Sequence, residues 1–182
     1  MAYGPIQFAQ NLGLTQPLAA DPEAASQTFK PGTPLRVVSG YIAAADSTWA
    51  AADIIVGFSQ GAGKNLTSSG VTEDGYSIGS PIGQSSAKII PTGAPVLRGN
   101  CLYTRCDGNT IFRASLKSGQ TFSQALLIPG TLYSLQKDAT TGYWFIDSTD
   151  TAGNDAVAEI TGVDPSDSTF VYFKIGASRR PA

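Results

Sequence analysis

The chain has no histidine, only two cysteines and few charges: 14% of its 182 residues are Asp, Glu, Lys or Arg, and the formal net charge is −2. Lack of histidine removes the usual general base of serine and cysteine hydrolases and the commonest metal ligand. Ordinary soluble domains carry about 25% charged residues. So sparse a set cannot form the clustered Lys and Arg that neutralise phosphates, and no nucleic-acid partner is expected. The adjacent basic pair Arg179-Arg180 lies near the C-terminus and is expected to be a solvated tail. No apolar run approaches the roughly 20 residues of a membrane-spanning helix. The start, MAYGPIQFAQNLGLTQ, lacks the basic region and apolar core of an export signal. Neither a membrane partner nor export is expected.

Cys101 and Cys106 are separated by four residues. In a chain that is not exported they are expected to be reduced thiols on or near a strand. Tetrahedral zinc would have to recruit two carboxylates, so no metal and no cofactor is expected.

Glycine and proline punctuate short β-type runs throughout. Residues 1–33 show no sustained period, and 19–25 could form only a short helical turn; Pro31, Gly32 and Pro34 then interrupt the chain. The reading is an extended N-terminal arm over 1–33 and a β-rich domain over 34–182. That domain is divisible into two small subdomains near 91–95. Within it, 35–42, 54–58, 87–90, 95–98, 101–105, 110–116, 131–137, 143–147, 156–163 and 169–175 read as short strands. Residues 61–79, rich in Gly, Ser and Thr, read as a long exposed loop. Asp107-Gly108-Asn109 predicts a hairpin over 102–116. Asp138–Gly142 and Asp164–Asp167 predict polar turns between later strands. Many short strands without an amphipathic helix predict an all-β fold, a small barrel or sandwich of short antiparallel strands.

One stretch suggests chemistry. Gly57-Phe58-Ser59-Gln60-Gly61 fits G-x-S-x-G, the turn that exposes a nucleophilic serine, and Gly63-Lys64 resembles the end of a phosphate-binding loop. The hydrolase reading lacks its histidine, and the residues after Ser59 are too glycine-rich to open the required helix. The phosphate-loop reading has five residues between Gly57 and Gly63 where four are needed, and Asn65 where a hydroxyl should bind magnesium. The glycines therefore read as turns at a strand end, and no catalytic residue is assigned. Asp147, Asp150 and Asp155 share a polar loop that reads as solvated, since calcium-loop spacing is absent. Asn65-Leu66-Thr67 fits a glycosylation pattern that matters only after export. The aromatics Tyr143, Trp144, Phe145, Phe170, Tyr172 and Phe173 should divide between core and surface, where an outward ring such as Tyr143 could stack on a sugar.

The run Leu132 to Ser148, LYSLQKDATTGYWFIDS, together with the start MAYG and the stretches PGTPLRVVSGYI and GFSQG, resembles capsid decoration (head cement) proteins of tailed bacteriophages. The resemblance spans about half of the chain. It implies a small β-barrel and a non-enzymatic virion protein on the capsid exterior, assembled in the host cytoplasm. It also implies major capsid protein as partner and a homotrimer. It fixes no contact residues. The arm side chains Tyr3, Ile6, Phe8, Leu12 and Leu14, which cannot form a core alone, are assigned to the capsid contact. The alternative is a carbohydrate- or receptor-binding β-module of a virion.

Overall fold

The structure is a computed structural model in which residues 3–12, 17–45, 50, 53–63 and 100–181 are described. Among these there is no α-helix. The strands are β1 (Gln7–Asn11), β2 (Leu18–Pro22), β3 (Pro34–Val38), β4 (Tyr41–Ala44), β5 (Gly57–Ser59), β6 (Asn100–Arg105), β7 (Thr110–Ser115), β8 (Leu132–Lys137), β9 (Trp144–Asp147), β10 (Ala156–Val163) and β11 (Phe170–Ile175). Six form one sheet in the order β1-β7-β11-β10-β8-β9, and five form a second in the order β2-β6-β5-β3-β4. Every pairing within them is antiparallel. Isolated bridges, Leu116 to Ile146 and Glu23 to Ile42, bend each sheet toward itself without closing it. The all-β fold of short antiparallel strands is therefore as expected, and of the two architectures it is the sandwich.

The arm is the first departure. Its described part is extended, but it is woven into both sheets: β1 pairs with β7 and β2 with β6, and Ile6 is buried in the main core. The helical turn expected over 19–25 gives way to β2. There Ala19 opposes Tyr103 and Ala20 opposes Leu102, and the ladder overrides alanine's helical propensity. The strands expected at 87–90 and 95–98, the division near 91–95, and most of the 61–79 loop lie outside the described residues.

Turn chemistry accounts for the hairpins. The expected strand over 35–42 folds back at Ser39-Gly40, both with positive φ (51° and 86°), so a two-residue turn joins β3 to β4. β8 and β9 pair across Asp138–Gly142 as expected. The Asp138 carboxylate accepts from the Thr141 amide at 2.5 Å and its hydroxyl at 2.6 Å, and Gly142 takes φ 73°. β10 and β11 pair across the Asp164 turn.

The hairpin expected over 102–116 does not form. β6 belongs to the five-stranded sheet and β7 to the six-stranded one, so Asp107-Gly108-Asn109 crosses between sheets. Gly108 lacks the positive φ that a tight hairpin turn requires. Instead Asp107 accepts from the Asn109 amide at 2.8 Å and the Thr110 hydroxyl at 2.7 Å, turning the chain without strand pairing.

The main core lies on the inner face of the six-stranded sheet and includes Phe112, Leu116, Leu135, Trp144, Ile146, Val157, Val171 and Phe173. The five-stranded sheet contributes Phe58 to it, whose ring lies 4.5 Å from Phe112 and 5.8 Å from Phe173. A second cluster of Ala19, Phe29, Leu35, Ile42, Cys101 and Tyr103 lies on the other face of the five-stranded sheet. Both cysteines are buried thiols, and burial pushes the Cys106 thiol up.

Gly57 sets the spacing of β5 against β6. A Cβ there would run into the Thr104 carbonyl oxygen and the Tyr103 ring. Gly57→Ala should therefore cost about 1–3 kcal/mol by overpacking. Urea denaturation checks this: a lowered midpoint is expected, and an unchanged midpoint would show that the two strands can separate without cost.

Candidate functional site

In the G-x-S-x-G stretch Gly57, Phe58 and Ser59 are buried and form β5, while Gln60 and Gly61 are exposed. Ser59 is 2% exposed, at the end of β5. Its hydroxyl accepts from the Thr33 amide and donates to the Lys30 carbonyl, each at 3.1 Å. Its backbone binds the same turn, donating to Thr33 and accepting from Gly32. Gly32 has φ 77°, and a Cβ there would strike the Ile6 amide nitrogen. The stretch thus closes a junction between β5, the 30–33 turn and the N-terminal segment. Lys64, Asn65 and Thr67 lie outside the described residues.

The acidic loop is equally committed. Asp147 is 3% exposed and accepts from Lys117 Nζ at 2.7 Å, Gln120 Nε2 at 2.7 Å and the Thr149 hydroxyl at 2.8 Å. Asp150 and Asp155 accept from one amide, Gln136 Nε2, at 3.3 and 3.4 Å. Asp164 accepts from Arg113 Nε at 2.7 Å and the Ser166 hydroxyl at 2.6 Å, and Asp167 from the Thr169 hydroxyl at 2.6 Å. Among the described residues no group of three or more acidic or cysteine side chains is placed to hold a metal ion.

The aromatics of β11 alternate between core and surface, whereas in β9 Trp144 and Phe145 are both buried, Phe145 beneath the Tyr3 ring. Phe173, Trp144 and Phe145 are buried, whereas Phe170, Tyr172 and Tyr143 are partly exposed. Lys30 Nζ sits 4.7 Å from the centre of the Tyr143 ring, so one face of that ring is occupied. Arg113 covers Phe170 at 3.8 Å.

Of the side chains assigned to a capsid contact, Tyr3 stacks on Phe145 at 4.7 Å, and its hydroxyl accepts from the Ser118 amide at 2.8 Å. Ile6 is in the main core, and Phe8 is partly buried in β1. Leu12 is 70% exposed, and Leu14 lies outside the described residues. The structure therefore turns Tyr3 and Ile6 inward, against the protein itself. Sequence pattern alone could not show this, because their partners are more than a hundred residues away.

Two surface features went unread in the sequence. The first is apolar: Leu18, Val37, Val38, Ile54 and Leu102, each between 38% and 54% exposed, all lie on or beside the five-stranded sheet. Leu126 and Ile128 stand out on the loop before β8. Ion pairs occur at both sheets: Arg113 with Asp164 and Lys174 with Glu159 at outward positions of the six-stranded sheet, and Arg36 of β3 with Asp53 at the five-stranded one. The second is a cleft of about 640 Å³ between Arg105–Gly108 and the C-terminal residues Ala177, Arg180 and Pro181. The solvated tail expected at Arg179-Arg180 is overturned. Arg179 is buried and donates to the Ala50 and Asn154 carbonyls at 2.8 and 2.9 Å, while Arg180 donates to the Ile175 carbonyl at 2.9 Å. Orphan carbonyls across the fold hold both guanidinium groups in place.

The acidic turns make stability pH-dependent. Burial alone would raise the Asp147 pKa, but the bonds from Lys117, Gln120 and Thr149 outweigh it and hold the carboxyl well below the usual range. Asp164 is held low by Ser166 and then Arg113. A depressed folded-state pKa gives stability that is complete above the unfolded value of about 4 and is lost as pH falls toward the folded value. Urea midpoints should therefore decline below about pH 5. Asp147→Asn should cost about 1.5–3 kcal/mol at neutral pH and give a flatter acid limb. Parallel acid limbs in the two proteins would show that Asp147 contributes nothing to the decline. Compared with protein-family models, curated proteins and solved structures, the chain finds no match in any of the three.

Proposed function

We propose that the protein is a virion structural protein that binds the outside of a phage capsid and cements neighbouring major capsid protein subunits, stabilising the head. The observation that carries this reading is the set of exposed apolar side chains on the five-stranded sheet. Leu18 of β2 and Leu102 of β6 share one face of that sheet, and Val37, Val38 and Ile54 are exposed on or beside β3. The patch of Leu18 and Leu102 suits docking on a protein shell, at about 25 cal/mol for each Å² of apolar area buried. The resemblance of 132–148 and of the stretches near Pro34 and Gly57 to head-cement proteins supports the same role. Enzymatic use of the conspicuous polar groups competes with their bonding, since Ser59 and Asp147 are buried and committed to neighbours.

The contact surface moves with this reading. Tyr3 and Ile6, packed inward, leave the docking work to the five-stranded sheet and to Leu12 at the end of β1. The carbohydrate- or receptor-binding alternative rests on outward aromatics such as Tyr143, one face of which lies under Lys30, and on the 61–79 loop, most of which lies outside the described residues.

Heating purified phage heads with and without the protein tests the proposal. Heads stripped of it should rupture at lower temperature and recover on adding it back. The double variant Leu18→Lys, Leu102→Lys, on one face of β2 and β6, should fold and fail to restore them. Heads equally heat-resistant without the protein would overturn the cement role. Full rescue by the double variant would overturn the assignment of the surface.

A further inference from the structure

We infer that the cleft between the Arg105–Gly108 loop and the C-terminal segment is a binding site for a monocarboxylate with an apolar body, clasped between the guanidinium groups of Arg105 and Arg180. The site does not depend on the capsid reading and would stand if that reading failed.

Two cations and one anion line the cleft, and the anion is already satisfied. Asp107 accepts from the Asn109 amide, the Thr110 hydroxyl and, at 3.4 Å, the Asn11 amide, all uncharged donors. Among the described residues neither Arg105 nor Arg180 forms an ion pair with a carboxylate. Arg180 makes one bond with Nη1, to the Ile175 carbonyl, which anchors the group while Nε and Nη2 remain directed along Gly108. Arg105 is exposed, and its guanidinium lies against the Tyr103 hydroxyl, which donates to Asp21; its backbone amide is fixed by the Pro17 carbonyl at 2.8 Å. Two guanidinium groups lining one cleft are an arrangement that planar carboxylates match in bidentate fashion.

Gly108 is what leaves the space open. Its φ is not in the left-handed region, so the turn itself does not require glycine. A Cβ at 108 would stand 3.1 Å from Arg180 Nη2 and 3.4 Å from Cζ, so the guanidinium would have to give by a few tenths of an ångström. The rest of the C-terminal wall is held by Arg179, whose carbonyl also accepts from the Ile55 amide at 2.8 Å. The Arg180 donors are therefore placed before any ligand arrives, which lowers the ordering cost of binding.

The walls choose between anions. Pro17, Val56 and Pro181 line the cleft beside the arginines, and its volume of about 640 Å³ would hold an apolar group of several carbons as well as a carboxylate. The fixed Asp107 carboxylate leaves a net single positive charge on the lining, which suits a monoanion and opposes the second charge of a phosphate dianion. The free terminus of a polypeptide ending in an apolar residue and a small free acid share this chemistry.

The test is NMR titration of the full chain with N-acetyl-leucine, its amide, a hexapeptide ending in free leucine, and inorganic phosphate. Saturable shifts at 105–108 and 177–181 are expected with the two carboxylates and not with the amide. Tighter binding of the hexapeptide assigns the site to a polypeptide terminus, and equal binding assigns it to a free acid. Arg105→Gln should weaken binding about tenfold or more, since one charged fork is lost. Gly108→Ala meets only the movable end of Arg180, so it should leave the urea midpoint nearly unchanged and still weaken binding several-fold. Equal response to acid and amide would overturn the proposal. So would phosphate binding as tightly as the carboxylates, or full affinity in both variants.

Discussion

The contact of Phe58 with Phe112 and Phe173 joins the two sheets, and much of the molecule is arranged to permit it. Phe58 lies on β5, a strand of only three residues, and its ring meets Phe112 of β7 and Phe173 of β11. To reach them, β5 must lie close to β6, which Gly57 allows, and its far end must be fixed, which Ser59 does through the 30–33 turn. Truncating such a ring to alanine typically costs about 3–5 kcal/mol, more than any single surface ion pair contributes. The stretch that looked like a nucleophile elbow is thus the joint of the sandwich.

With so few charges, the chain uses its carboxylates as turn fasteners. Asp107, Asp138, Asp147, Asp164 and Asp167 each accept from a hydroxyl two or three residues onward. The backbone amide of the same turn bonds the same carboxylate in several of them. Local bonds of this kind offer the backbone an alternative to the ladder, which is how short strands are ended without helices. Arg179 does comparable work over a longer range, binding carbonyls at 50 and 154. The outcome is a set of polar turns locked into themselves, while apolar side chains such as Leu18 and Leu102 remain exposed.

Several elements were legible because their signals are local. The hairpin of β8 and β9 announced itself through Asp138-Ala139-Thr140-Thr141-Gly142 between alternating runs, and that of β10 and β11 through Asp164-Pro165. Other elements were misread because the deciding partner is distant. Asp107-Gly108 has the sequence of a hairpin turn, yet β6 and β7 each pair with strands of different sheets, and the glycine serves the Arg180 side chain instead. Tyr3 and Ile6 looked like side chains awaiting another protein, but Phe145 and the main core cover them. The candidate cleft was invisible for the same reason, since it joins residues about seventy positions apart.

Composition, strand period and turn residues determined an all-β chain of short strands, the polar turns at 138–142 and 164–167, and the absence of a histidine-based site. These follow from side-chain chemistry and backbone preference over a few residues. Tertiary structure alone decided that the N-terminal segment is shared between two sheets, that Ser59 is buried, that Arg179 and Arg180 are anchored, and which surface stays apolar. Each of those depends on burial and hydrogen-bond partners brought from far along the chain, and packing supplies them only once both sheets are in place.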